Sequence, residues 1–272
     1  MTGFAMSCMS TRWWSTRIWS AVLMIVFADM TETNGQVLQP GRFEIPLSGH
    51  EKHFEIIPAD EYGLYLERGV FTGKTSQLQL IRLDTGFNTV WQGLIPIEKN
   101  YVVVGKKAYV DKLFILFRYR DYSRNNFILV VADHQSGDYT QYAIKGFIPF
   151  APTDFAITKR AVLIGGYYNR VPLVLHFSRV TYQSRILPGI FNEAGELTQI
   201  RTYADGTFDV LISALNFQRQ RTITIKNYDP DGNLMRNLAL EADPNKHLIF
   251  GRSLRTSNDV QIVAGVFGSR ST

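Results

Sequence analysis

A strand-like segment returns along this chain about every 48–50 residues, and only a fold built from repeated units accommodates that. The strongest copies are Gly63–Arg68, Leu113–Arg118, Ala161–Gly166, Val210–Leu215 and Val260–Gly265. Each is a short run of apolar, β-branched or aromatic residues bounded by turn formers, the signature of a strand rather than a helix. A second strand follows in four copies, at Leu78–Leu83, Phe127–Ala132, Pro172–Phe177 and Thr222–Asn227. Then comes a hairpin turn, Asp84–Gly86, Asp133–Gly137 or Asp229–Gly232, in which Gly is free to take a positive φ and Asp can bond its own backbone. These turns lead to Thr89–Leu94, Thr140–Ile144 and Leu234–Leu240, while the third copy departs from the pattern with Ser178–Ser184 and no glycine. Ahead of each strong strand lies another, at Phe54–Pro58, Tyr101–Gly105, Asp154–Thr158, Leu197–Tyr203 and Leu248–Leu254.

Four strands per unit at this spacing predict an all-β chain, a β-propeller of four-stranded blades with about five repeats. One such sheet leaves apolar residues on both faces, so the units must stack to bury them. A β-sandwich or a solenoid of similar hairpins is the competing architecture. The fifth unit has only two strands before Thr272. The chain is therefore expected to be a ring closed by a strand at Arg42–Leu47, or part of a larger ring; the open sheet edge favours the second.

Residues 1–28 predict a signal peptide. Arg12 and Arg17 form the basic start, Ile18–Ala28 an apolar run of eleven residues, and Ala28 the small residue of a cleavage site. Eleven apolar residues fall short of the ~20 that span a bilayer. An uncleaved anchor and a buried N-terminal element are the alternatives. Residues 29–41 read as a linker and 42–272 as the repeat domain. Without Arg12 and Arg17 the mature chain carries +3 rather than +5. The single cysteine, Cys8, lies in the leader, so export here involves no disulfide.

The runs Gly166–Phe177 (GYYNRVPLVLHF), Ile186–Phe191 (ILPGIF) and Tyr228–Leu234 (YDPDGNL) resemble uncharacterised exported propeller-like proteins, of kelch or WD40 repeat type, from Gram-negative bacterial envelopes. The resemblance covers most of 42–272. It implies a periplasmic or outer-envelope location and continuation past residue 272, and it implies no activity.

One set of turns carries a chemical pattern. Phe71 and Lys74, Tyr122 and Arg124, Tyr168 and Arg170, Phe217 and Arg219, and Phe267 and Arg270 each place an aromatic two or three residues before a cation. Equivalent turns of a propeller share one face. Aromatic rings and cations together suit an anionic glycan or a protein partner, through stacking, cation–π contact and bidentate hydrogen bonds. Inheritance of one solubilising turn from an ancestral repeat explains the same pattern without a ligand.

Other motifs dissolve on inspection. Gly73-Lys74-Thr75 lacks the glycine and the helix of a phosphate loop. Asp229–Asn233 has its Gly fourth rather than sixth, and Leu240 where a calcium loop needs Glu. His50 and His53 have no third ligand nearby. His176 sits on an apolar strand and reads as a core residue. Arg118–Arg124 mixes rings and cations as single-strand nucleic-acid sites do, but Asp121 and export argue against that. Asp154, Asp205 and His247 are the nearest candidates for a channel-lining catalytic set, at unequal repeat offsets. The expectation is a non-catalytic binding or scaffolding module without cofactor, metal or nucleic acid, meeting the membrane only through an uncleaved leader. A polysaccharide hydrolase or lyase, and a structural domain of a larger envelope protein, are the alternatives.

Overall fold

The computed structural model describes residues 43–46, 53–72, 75–121, 126–146, 148–191, 195–215, 221–240, 246–256 and 260–269. The predicted leader, residues 1–28, lies outside them, and so do 29–41. No described helix is long and apolar enough to cross a membrane.

The repeat is realised as successive antiparallel sheets. Strands β1 (Glu55–Pro58), β2 (Leu64–Thr72), β3 (Thr75–Leu83) and β4 (Thr89–Ile97) form the first, in sequence order. The second comprises β5 (Tyr101–Tyr109), β6 (Lys112–Tyr119), β7 (Asn126–Asp133) and β8 (Tyr139–Lys145). The third has β9 (Ala151–Ile157), β10 (Ala161–Tyr168), β11 (Val171–Ser178) and a three-residue β12 (Ser184–Ile186). The fourth has β13 (Gly195–Thr202), β14 (Phe208–Leu215), β15 (Arg221–Tyr228) and β16 (Leu234–Leu240). A two-stranded sheet, β17 (Lys246–Arg255) with β18 (Gln261–Ser269), comes last. The chain is thus all-β and β-propeller-like.

Stacking explains why the strong strands read as continuous apolar runs. Leu113–Phe117 of β6 are all buried, because both faces of the second sheet are covered. Leu113, Ile115 and Phe117 join Tyr65, Leu78 and Leu80 of the first sheet, while Phe114 and Leu116 join Val162, Ile164 and Leu175 of the third. The alternation repeats one sheet on. Ala161 and Leu163 face Phe208, Val210 and Ile212 of the fourth sheet. Each fully buried Leu, Ile or Phe contributes about 1.5–3 kcal/mol, and no sheet could bury these residues alone.

The first strands pack consecutively, β1 on β5, β5 on β9, β9 on β13 and β13 on β17, and among the described residues no contact of that extent returns from β17 to β1. Four of these strands carry a register irregularity against the second strand of their sheet, at Val103/Gly105, Pro152/Asp154, Leu197/Gln199 and Leu248/Phe250. Bulges bend a strand and raise its twist, which suits sheets converging along one edge. Close approach is visible at Gly105, where an added Cβ would lie 2.7 Å from the Phe155 ring of β9.

The expected closing strand takes another course. Residues 43–46 are not in a strand, and Ile45 packs on Leu66, Ile81 and Leu83 of the first sheet, not on the fifth. Arg42 and Leu47 lie outside the described residues. The open face of the first sheet is apolar, and burying Ile45 there covers it.

The turns after β3, β7, β11 and β15 form two pairs. Asp84 and Asp229 each accept from the backbone two and four residues on, and Asn88 or Asn233 bonds the same carboxylate. Asp133 accepts from Gln135 and Ser136, and in the aberrant third copy Ser178 Oγ does the same for Val180 and Thr181. The departure seen in sequence is therefore one turn written with a different oxygen. One expectation is corrected: the left-handed residue of the first turn is Phe87 (φ 62°), not Gly86, whereas Gly137 and Gly232 do take positive φ. The third copy places Tyr182 there, at φ 58°.

Candidate functional site

Short links, such as residues 98–100 between β4 and β5, make each sheet begin at the end where the previous one finished. The turns after each second strand lie at that same end. Phe71 closes β2 and is 76% exposed. Tyr168 closes β10, lies 6.1 Å from the Phe191 ring, and starts a two-residue turn in which Asn169 (φ 48°) and Arg170 (φ 66°) are both left-handed. That is the geometry a tight hairpin needs to match strand twist, and it leaves Arg170 exposed. Lys74, Tyr122, Arg124, Phe217, Arg219 and Arg270 lie outside the described residues, as does the Phe267 side chain, whose backbone belongs to β18.

A cleft of about 670 Å³ lies between the first and second sheets. His53, Glu55, Glu67, Arg68, Gly69 and Lys106 are among its walls. Glu55 and Glu67 face each other across β1 and β2, a like-charge pair that is unfavourable by itself. Lys106 reaches in from β5, donating to Glu55 at 2.7 Å and to buried Glu67. Burial alone would pull the Lys106 ammonium down, but the two carboxylates outweigh it and hold the amine above the ordinary lysine range. Arg68 donates to Gln79 at 2.6 Å, and its guanidinium lies 4.6 Å from the centre of the Phe54 ring. Sequence reasoning missed this group. Glu67 sat in plain view inside Gly63–Arg68, but nothing local says that a lysine 39 residues away closes on it.

The candidate catalytic residues are placed apart. Asp154 accepts from Phe155 N and from Ile200 N of the next sheet. Asp205 accepts from Thr207 in a turn. The His247 side chain and His50 lie outside the described residues. The carboxylate of Asp209, buried in β14, receives Tyr203 Oη at 2.6 Å, Asn227 Nδ2 at 2.5 Å and Gln261 Nε2 at 3.2 Å. This ties the turn after β13 to β15 and β18, and burial with the Asp209 charge pushes the Tyr203 phenol up to about 12. The Asp229 carboxylate is engaged by its own turn, and no metal-ligand cluster occurs among the described residues.

Two of the described histidines are buried. His176 stands on β11 as a core residue, its ring stacked on Phe208 at 6.3 Å and its Nε2 3.4 Å from the Pro230 carbonyl. His134 shares a hydrogen bond with Tyr65 Oη, and its carbonyl accepts from Trp91 Nε1 at 2.8 Å. Burial, above all, holds both imidazoles below the ordinary histidine value of 6.5. The stability they contribute is complete above the unfolded value and is lost as pH falls through it toward the folded values. Chemical denaturation should show the midpoint dropping between about pH 7 and pH 5, by at most about 1.4 kcal/mol per histidine per pH unit. A midpoint flat across that window would contradict the assignment of both rings as neutral.

No protein-family model and no curated protein matches this chain. Among solved structures, it is similar to cobalt-substituted apocarotenoid oxygenase from Synechocystis, with 8% identity and a TM-score of 0.48 over 80% of this chain and 56% of that one. It is also similar to prolyl oligopeptidase B from Galerina marginata (14% identity, TM-score 0.44, 85% of this chain and 33% of that one). A third similarity is to a prolyl endopeptidase (10% identity, TM-score 0.44, 76% and 30%). The chain thus spans between 30% and 56% of these proteins' lengths.

Proposed function

We propose that this chain is an exported β-propeller that acts in the periplasm or outer envelope of a Gram-negative cell as a non-catalytic binding module. Its ligand is a protein partner or an anionic glycan, held on the turn face. The observation carrying this reading is the exposure of the ring and the guanidinium on the turns. Exposed Phe71 and Arg170 belong to turns at the same end of their sheets, and a cleft with Arg68 in its wall lies between the first two sheets. Ring, guanidinium and concavity together are what recognition of an anionic or mixed surface needs.

A polysaccharide-cleaving activity has one point in its favour. Glu55 and Glu67 bond the same ammonium, so their oxygens lie within about 6 Å, near the spacing of a glycosidase carboxylate pair. Lys106 stands between them, however, and the group works better as a clamp between sheets. The test is a glycan and envelope-protein array with the full chain beside a Phe71→Ala/Arg170→Ala variant. Selective binding that the variant loses is expected. Absence of binding by a folded sample, or glycan cleavage abolished by Glu67→Gln, would overturn the reading.

A further inference from the structure

A second groove lies on the outer rim, between the last strands of the second and third sheets. Its cause is a length mismatch. The last strand β12 has three residues, whereas β8 and β16 have seven and β4 has nine. The short strand leaves the flank of β8 uncovered, and an open groove of about 600 Å³ results. Its walls include Lys145, Phe177, Tyr182, Gln183 and Ser184. Ser184 Oγ donates to the Lys145 carbonyl at 2.8 Å and fixes the two strands against each other.

Tyr182 gives the groove its chemistry. Its ring stacks on Tyr142 of β8, centroids 5.1 Å apart and planes 10° from parallel, with Phe177 at 6.4 Å behind. It is nonetheless 57% exposed, so one ring face meets Tyr142 while much of the residue stays open to solvent. The backbone there is left-handed, at the turn position where the second sheet uses Gly137. The first sheet likewise places an aromatic, Phe87, in the left-handed region of its turn. The groove walls hold one cation, Lys145, and no carboxylate.

We propose that this rim groove binds a hexuronate-containing polysaccharide, one sugar ring lying on the Tyr182 face and a carboxylate reaching Lys145. A pyranose presents a flat C–H face that an aromatic ring accepts, and the amide of Gln183 and the hydroxyl of Ser184 suit its hydroxyls. Charge complementarity selects the acidic sugar over a neutral one. The inference stands apart from the turn face, because it uses none of the aromatic–cation turns.

The test is calorimetry of the full chain with alginate and polygalacturonate oligomers, and with cellohexaose as the neutral control. Tyr182→Gly should weaken uronate binding at least about tenfold, and relief of the left-handed strain offsets part of the lost ring stack. Lys145→Glu repeats the test on an exposed side chain that leaves the ring stack untouched, and it should abolish uronate binding. Phe71→Ala/Arg170→Ala should bind as the parent does. The proposal falls if the parent binds no uronate, if cellohexaose binds equally, or if Tyr182→Gly and Lys145→Glu both bind normally. Loss confined to the Phe71/Arg170 variant would move the ligand to the turn face and sink only the rim site.

Discussion

Lys106→Met is expected to destabilise the fold by about 3 kcal/mol, because it strands the buried Glu67 carboxylate without its counter-charge. The substitution also leaves Glu67 opposite Glu55 on the neighbouring strand, with nothing to offset their repulsion. Glu55 is mostly exposed, so water screens that part and most of the effect resides in Glu67. The companion Lys106→Met/Glu67→Leu variant removes both charges and should recover most of the loss, since an apolar pair of similar volume needs no compensation. Urea unfolding of the parent, both single variants and the double variant reads the coupling directly. If the Lys106 variant unfolds with the parent's midpoint, the clamp between the first two sheets has no energetic weight. The double variant also serves the binding assay, since it keeps the cleft while removing its ion pair.

The second large effect is expected at Phe208. Its ring is fully buried between the third and fourth sheets, stacked on Tyr228 at 5.2 Å and on His176 at 6.3 Å. Phe208→Ala should cost about 3–5 kcal/mol, the sum of lost apolar burial and the cavity left behind. Tyr228 Oη donates to the Pro188 carbonyl at 2.7 Å, so the neighbouring ring is anchored and the cavity cannot close over it. Phe208→Ala and Tyr228→Ala touch the same space, and their costs should fall short of additive in a double-variant cycle. A loss below about 1 kcal/mol at Phe208 would mean that the two sheets repack freely and share no fixed core.

The residue pattern made the sheets legible, because strand formation and turn chemistry are local. Side chains alternate every second residue along a strand, so Leu113–Phe117, apolar without a break, had to be covered on both faces. An Asp whose side chain accepts from the backbone two to four residues on needs nothing distant, and the turns at Asp84, Asp133 and Asp229 were readable for that reason. Even there the sequence misled at Gly86. A glycine permits a positive φ but does not require one, and the closure of Asp84 N on Asn88 O put Phe87 in that position instead.

What stacks on what was a different matter. Glu67 reads as one more polar residue in a strand, and Lys106 as one of two lysines in Tyr101–Tyr109. Only the packing of β1 against β5 brings them together. Tyr65 and His134, 69 residues apart, meet for the same reason. The rim groove follows from β12 stopping after three residues, and no residue in Ser178–Ser184 announces that length. Phe71 and Tyr168 read as turn residues, but they stand at the ends of β2 and β10, because those strands run on past their apolar cores. The sequence by itself determined the strands, the turns and the repeat, because hydrogen bonding and side-chain alternation act over a few residues. The tertiary structure alone decided which charges, rings and grooves face one another, because those contacts join strands dozens of residues apart and depend on how the sheets twist and stack.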